Sequence, residues 1–112
     1  MKHIYIAGPY TAATTEAVQA NVDRALDTGN RLLDAGLWPY VPHLSHYLEA
    51  RKPRHYEEWM ALDLAMLRRM DAILRLPEPS SGADREVAAA RILGLPVFWT
   101  AAETIAWARR VA

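Results

Sequence analysis

Apolar residues in this chain fall in short blocks separated by longer amphipathic stretches. Residues 3–7 (HIYIA) form a β-rich run stopped by Gly8-Pro9, which predicts a buried first strand. From Thr14 to Ala35 apolar side chains recur at helical spacing through Ala17, Val18, Val22, Ala25, Leu26, Leu32 and Leu33. Thr14 or Thr15 serves as the N-cap and Gly36 as the stop. Gly29 weakens this helix by about 1 kcal/mol relative to alanine and marks a close approach to the sheet. Residues 37–42 (LWPYVP) read as a second strand, placed at a sheet edge because its prolines lack an N–H.

Residues 44–54 have no clear period and are expected to form a mobile loop. A helix follows over His55–Met70, with Trp59, Leu62, Met66, Leu67 and Met70 as its apolar stripe. Residues 71–76 make a third strand, Pro77–Gly82 a turn, and Ala83–Leu93 a helix ended by Gly94. Residues 96–100 are a fourth strand and 102–110 a closing helix. Strands separated by helices imply a parallel sheet with right-handed crossovers. The expected fold is a small α/β flavodoxin-like or Rossmann-like three-layer sandwich with strand order 2-1-3-4, in one domain spanning residues 1–112.

In such sheets ligands bind beyond the carboxyl ends of the strands, where the strand order reverses. Here that point lies between strands 1 and 3. The loop Gly8-Pro9-Tyr10-Thr11 and the loop Pro79-Ser80-Ser81-Gly82 should therefore form the site. Glu86 lies just beyond the second loop. The dipole of the helix start favours its ionised form, which suits a nucleophile, and the free amides there with Ser80 and Ser81 can hold a phosphate or sugar hydroxyl. Local sequence alone favours a plain capping role for Glu86, since glutamate is common near helix starts. Asp63 shares a helix face with Trp59, an odd place for a carboxylate, where desolvation would raise its pKa and fit it for proton transfer. The alternative is an exposed aspartate beside the stripe. Asp71 reads as a structural turn residue.

Composition narrows the choices. Thirteen basic and thirteen acidic side chains give no general field for polymeric nucleic acid or an anionic membrane. No cysteine is present, so there is no disulfide framework or thiolate zinc site. The apolar run after Lys2 is too short for a signal peptide, and no stretch approaches the ~20 apolar residues of a spanning helix, so a cytoplasmic location is expected.

The run Ile4-Tyr5-Ile6-Ala7-Gly8-Pro9, then Asp63 to Asp71, then Pro79 through Glu86 resembles the nucleoside 2-deoxyribosyltransferase family and the related 2′-deoxynucleoside 5′-monophosphate N-glycosidases. The likeness covers nearly the whole chain and is nearest to a bacterial and phage branch. Ser80-x-Gly82-x-x-x-Glu86 directly after a strand is its most specific element. The resemblance implies that Glu86 is the nucleophile, that Asp63 is an aspartate needed for activity, and that Tyr5 orients the sugar and the glutamate. It also implies that Ser80 contacts a 5′-phosphate and that the backbone approaches the ligand at Gly8. Pro9 stands where the monophosphate enzymes often have serine. The implied reaction is cleavage or transfer of an N-glycosidic bond through a glutamyl-glycosyl intermediate, with no cofactor, a nucleoside or nucleotide substrate, and a homo-oligomeric assembly.

The segment from His43 to His55 is the expected cover of the site, with tyrosines Tyr47 and Tyr56 to stack on a base and Arg51, Lys52 and Arg54 to meet a phosphate. A solvated basic loop is the competing reading. His43-x-x-His46 as a metal site lacks a carboxylate at ligand spacing. His43 follows the second strand and is placed to line the pocket, as is Trp59. Trp38, Trp99 and Trp107 read as core or interface. Two rival functions remain open: a non-catalytic nucleotide-sensing module, and a phosphate-binding α/β enzyme of another class, the latter without a Walker-type loop to support it.

Overall fold

In a computed structural model that describes residues 1–111, four parallel strands alternate with helices. The strands are β1 (His3–Ala7), β2 (Trp38–Tyr40), β3 (Ala72–Arg75) and β4 (Val97–Phe98), in the order β2-β1-β3-β4. The helices are α1 (Thr15–Asp34), α2 (Ser45–Arg51), α3 (Tyr56–Leu67), α4 (Ser81–Ile92) and α5 (Ala101–Arg110). The expected topology and edge position of β2 hold. Among the described residues no helix is long and apolar enough to cross a membrane.

Alternation along the strands divides the core into two layers. Ile4, Ile6 and Leu74 face Ala25 and Leu32 of α1 and Ala101 and Ala108 of α5. Tyr5, Ala7 and Ile73 face Leu67 of α3 and Ala83, Val87 and Ala90 of α4. The second layer matters most for the site, because it turns the odd-numbered positions of β1 toward α3 and α4.

The start and end of α1 follow its sequence. Thr14 Oγ1 accepts the Ala17 N–H at 3.1 Å. Gly36, at φ +82°, lets the Leu37 N–H return to the Leu32 carbonyl at 2.9 Å. A Cβ on Gly29 would lie 3.1 Å from Val41 Cγ2, so this glycine permits the close approach of α1 to the β2 side of the sheet.

Four boundaries or faces differ from expectation. Most of residues 44–54 is helical and only 52–54 stay irregular: a 3-10 turn over Pro42–Leu44 leads into α2. This helix buries no residue, so no apolar stripe marks it in the sequence. In α3, apolar side chains lie nearly all round, and Leu62 is 41% exposed while Leu64 and Leu67 turn inward. α4 begins at Ser81 rather than Ala83, with Ser80 as N-cap, so Ser81 and Gly82 belong to its first turn. β4 keeps only two of the five expected residues.

Candidate active site

A cavity of about 560 Å³ opens at the carboxyl ends of β1 and β3, the switch point of the sheet. One wall is the β1 loop, Gly8 to Thr11, and the facing wall is Pro79–Ala83 with Arg85 and Glu86 of α4. Tyr56, Trp59, Met60 and Asp63 of α3 form a third wall, and Pro42, His43, Ser45 and Glu49 a fourth. Arg54 stands at the α2–α3 junction. All ten expected site residues other than Tyr5 line this cavity: Gly8, Pro9, Tyr10, His43, Trp59, Asp63, Ser80, Ser81, Gly82 and Glu86.

Tyr5 lies beneath it. The side chain is fully buried, and its hydroxyl donates to Glu86 Oε2. Tyr5 is not among the residues that line the cavity, and it meets the site through its hydrogen bond to Glu86. Glu86 is partly buried and, among the described residues, its other oxygen takes no hydrogen bond from the protein. It is the sixth residue of α4, beyond the first turn, so neither a capping box nor the helix dipole governs it. Burial does, raising its pKa from about 4.5 to about 7. The Tyr5 hydrogen bond and the charges of Arg75 and Arg85 oppose that rise, and the charge of Asp63 adds to it. A carboxylate kept fully ionised by the dipole is therefore not what the fold provides.

Asp63 is partly buried, and Tyr40 O–H donates to its Oδ1 at 3.2 Å. Burial raises its pKa to about 6, against the Tyr40 hydrogen bond. Tyr40 is opposite Tyr5 in the β1–β2 register, and the two rings pack with centroids 5.4 Å apart. Two tyrosine–carboxylate pairs thus stand side by side, one based on each strand.

Ser80 Oγ accepts the Ala83 N–H at 3.0 Å, and the Asp84 N–H returns to Ser80 O. The amides of Ser81 and Gly82 are left without a protein acceptor among the described residues, as at any helix start. A Cβ on Gly8 would lie 2.8 Å from Leu76 Cδ1, so tight packing against Leu76, just beyond β3, accounts for glycine there without a ligand. The His43 side chain is buried, and its Nε2 donates to Pro9 O at 3.1 Å. Burial pushes its pKa down, so it is a neutral brace of the β1 loop. Tyr10 Oη and His46 Nδ1 are 2.7 Å apart, a second tie between that loop and α2.

A family model described as a domain of unknown function, DUF7768, matches residues 2–100. The chain belongs to this DUF7768 family. No curated protein matches it by sequence. Two solved structures share the fold. One is a 2-deoxyribosyltransferase from the psychrotolerant bacterium Bacillus psychrosaccharolyticus, with 22% identity and a TM-score of 0.60 over 85% of this chain and 69% of that one. The other is a 2-desoxiribosyltransferase from Leishmania mexicana, with 22% identity and a TM-score of 0.63 over 87% of this chain. This DUF7768 chain spans only 62% of the Leishmania chain's length.

The remaining candidates divide. Arg54 lines the cavity, its N–H bonded to the Glu49 carboxylate at 2.9 Å, whereas Arg51 and Lys52 are exposed. Arg85 donates to Tyr56 Oη at 2.9 Å across the mouth. Tyr47 is exposed on α2 and is not among the lining residues. Trp59 donates to Glu49 Oε2 at 3.4 Å, tying α3 to α2. Trp107 packs on Phe98, while Trp38 and Trp99 are half exposed. Asp71 accepts the His3 N–H at 2.8 Å at the far end of the sheet, a structural clasp. Among the described residues no group of three or more His, Asp or Glu is arranged to hold a metal ion.

Tyr40, Arg75 and Arg85 of this DUF7768 site escaped the sequence reading. Tyr40 sits in a strand where tyrosine is common, and only its register with Tyr5 gives it meaning. Arg75 is buried at the end of β3, where it donates to the carbonyls of Leu76 and of Glu78 (2.8 Å) and pairs with Asp84 at 3.0 Å. It thereby shapes the loop that delivers Ser80. A charged residue in an otherwise apolar strand was the signal.

Proposed function

We propose that this chain cleaves or transfers the N-glycosidic bond of a nucleoside, a deoxynucleoside or the 5′-monophosphate of either, with Glu86 as nucleophile. One observation carries the reading: a partly buried carboxylate in the cavity wall, with one oxygen held by a buried tyrosine and the other without a protein partner among the described residues. The cavity falls in the range of small-ligand pockets, roughly 300–1,000 Å³. The fold shared with two enzymes named as deoxyribosyltransferases supports the same chemistry.

The free oxygen of ionised Glu86 attacks the anomeric carbon and forms a glycosyl ester. The C–N bond breaks with its electron pair going to the base, and the proton of Asp63 passes to a ring nitrogen of that base. Water or a second base then attacks the anomeric carbon and gives its proton to the Asp63 carboxylate, which frees Glu86. Tyr5 acts through Glu86 as a positioning residue. The Ser80–Gly82 turn, Arg54 and Arg85 offer donors for a sugar hydroxyl or phosphate, and Trp59 offers a face for the base. The reaction as written requires no cofactor.

The test is incubation with a panel of nucleosides and monophosphates, with free base read by chromatography, for wild type and Glu86→Ala, with and without an acceptor base. Wild type should release base, and Glu86→Ala should lose about a hundredfold or more. A transfer product in the presence of acceptor separates transferase from hydrolase. Tight nucleotide binding with no base release, unchanged by Glu86→Gln, would replace this reading with a non-catalytic binding module.

A further inference from the structure

Asp63 is held by a residue from the edge strand that has no contact with the cavity. Tyr40 does not line it, yet its hydroxyl donates to Asp63 Oδ1 at 3.2 Å. Among the described residues Asp63 Oδ2 has no hydrogen-bond partner, and Asp63 does line the cavity. The Tyr40 ring is braced against Tyr5, which fixes its direction. Burial and the neighbouring carboxylates push the Tyr40 pKa well above its ordinary value, so the hydroxyl keeps its proton and donates to ionised Asp63. A donor already set on Oδ1 by the braced ring leaves Oδ2, which has no protein partner among the described residues, as the favoured oxygen for a proton. The proton of neutral Asp63 then resides on Oδ2.

We propose that Tyr40 is the positioning residue for Asp63: it fixes the carboxyl group and assigns its transferable proton to the oxygen that meets the leaving base. This rests on the N-glycosidic reading above. In the step concerned, the Oδ2–H bond breaks, an N–H bond forms on the base, and the C–N electron pair goes to that base. The titratable groups that reach Asp63 are Tyr40 from β2, Tyr5 from β1 and Glu86 from α4. Behind Glu86 stand Arg75 from β3 and Arg85 from α4.

The experiment compares wild type, Tyr40→Phe, Asp63→Asn, the double variant and Glu86→Gln on two substrates. One is an ordinary purine substrate. The other is its N7-methylated form, whose base is already cationic and leaves without a proton. Tyr40→Phe should lower kcat on the ordinary substrate roughly tenfold, the loss of about one hydrogen bond, with little change on the methylated one. Asp63→Asn should show the same selectivity more strongly, and the double variant should be no worse than Asp63→Asn alone. Glu86→Gln should fail on both. Equal losses for Tyr40→Phe on the two substrates, or a further loss in the double variant, overturn the proposal. A second arm needs no turnover: the Asp63 carboxyl is titrated by carbon-13 NMR. Its midpoint should move up by roughly one pH unit in Tyr40→Phe, since a hydrogen bond to the charged form is removed. An unmoved midpoint overturns the role of Tyr40. Wild type inert on the whole panel overturns the glycosidic reading instead, with the NMR arm still deciding whether Tyr40 governs Asp63.

Discussion

A carboxyl group in a partly dry wall works against folding once it must ionise, and Glu86 is such a group. Unfolded, it loses its proton near 4.5; folded, it does so near 7. Between those values the native chain binds more protons than the unfolded one, so stability falls as pH rises through that window and stays reduced above it. Glu86→Gln keeps an acceptor for Tyr5 and removes the charge. The variant should be more stable than wild type at pH 8, by up to about 3 kcal/mol, and nearly equal to it at pH 4. Thermal melts at the two pH values check this, and identical differences at both would show that burial does not govern Glu86. At this scale the sequence was partly legible. Asp63 was visible as a carboxylate on an apolar helix face, and Glu86 by its distance from a strand end. Tyr40 was hidden because its partner, Asp63, is 23 residues away. Strand register, a long-range property, is what turns Tyr40 to the face it shares with Tyr5.

Glycines show how element boundaries were misjudged. Ser80-Ser81-Gly82 reads as a turn, yet only Ser80 lies outside α4, as the N-cap. Gly82 takes an ordinary helical place, and a Cβ there would meet nothing closer than Ser80 Oγ at 3.9 Å. Gly8 is the reverse case: a Cβ would press on the Leu76 side chain at 2.8–3.2 Å, at its root atoms Cβ and Cγ as well as its flexible tip. Gly8→Ala should therefore destabilise the fold by about 1–3 kcal/mol through overpacking. Gly82→Ala should be neutral or stabilising by up to about 1 kcal/mol. Urea midpoints measure both, and a tolerated Gly8→Ala would return the explanation of that glycine to ligand approach. α2 was illegible for a different reason. Apolar period signals a helix only when one face is buried, and Tyr47 and Leu48 of α2 are both exposed.

The whole molecule was the most legible scale, because alternation of short apolar runs with amphipathic stretches leaves few ways to wind a four-stranded parallel sheet. That winding brings positions 5, 40, 63 and 86, from four different elements, to one edge. The arrangement makes a prediction that none of these residues makes alone. The proposed mechanism needs Glu86 ionised and Asp63 protonated, while burial sets their pKa values at about 7 and about 6. The reactive pairing is then a minority form, greatest between those values. Base release against pH should rise to about 6 and fall beyond about 7, with the two limbs belonging to the coupled pair. Asp63→Asn removes the group that must stay protonated, so the alkaline limb should vanish. The remaining acid limb then belongs to Glu86 alone: it should lie below about 7, because a negative charge that raises Glu86 is gone, and above the acid limb of the wild-type pair. With an N7-methylated substrate, which needs no proton donor, wild type should already show this one-limbed profile. A bell that survives in Asp63→Asn would mean that another group carries the proton and that the two carboxylates, though neighbours, do not divide the work.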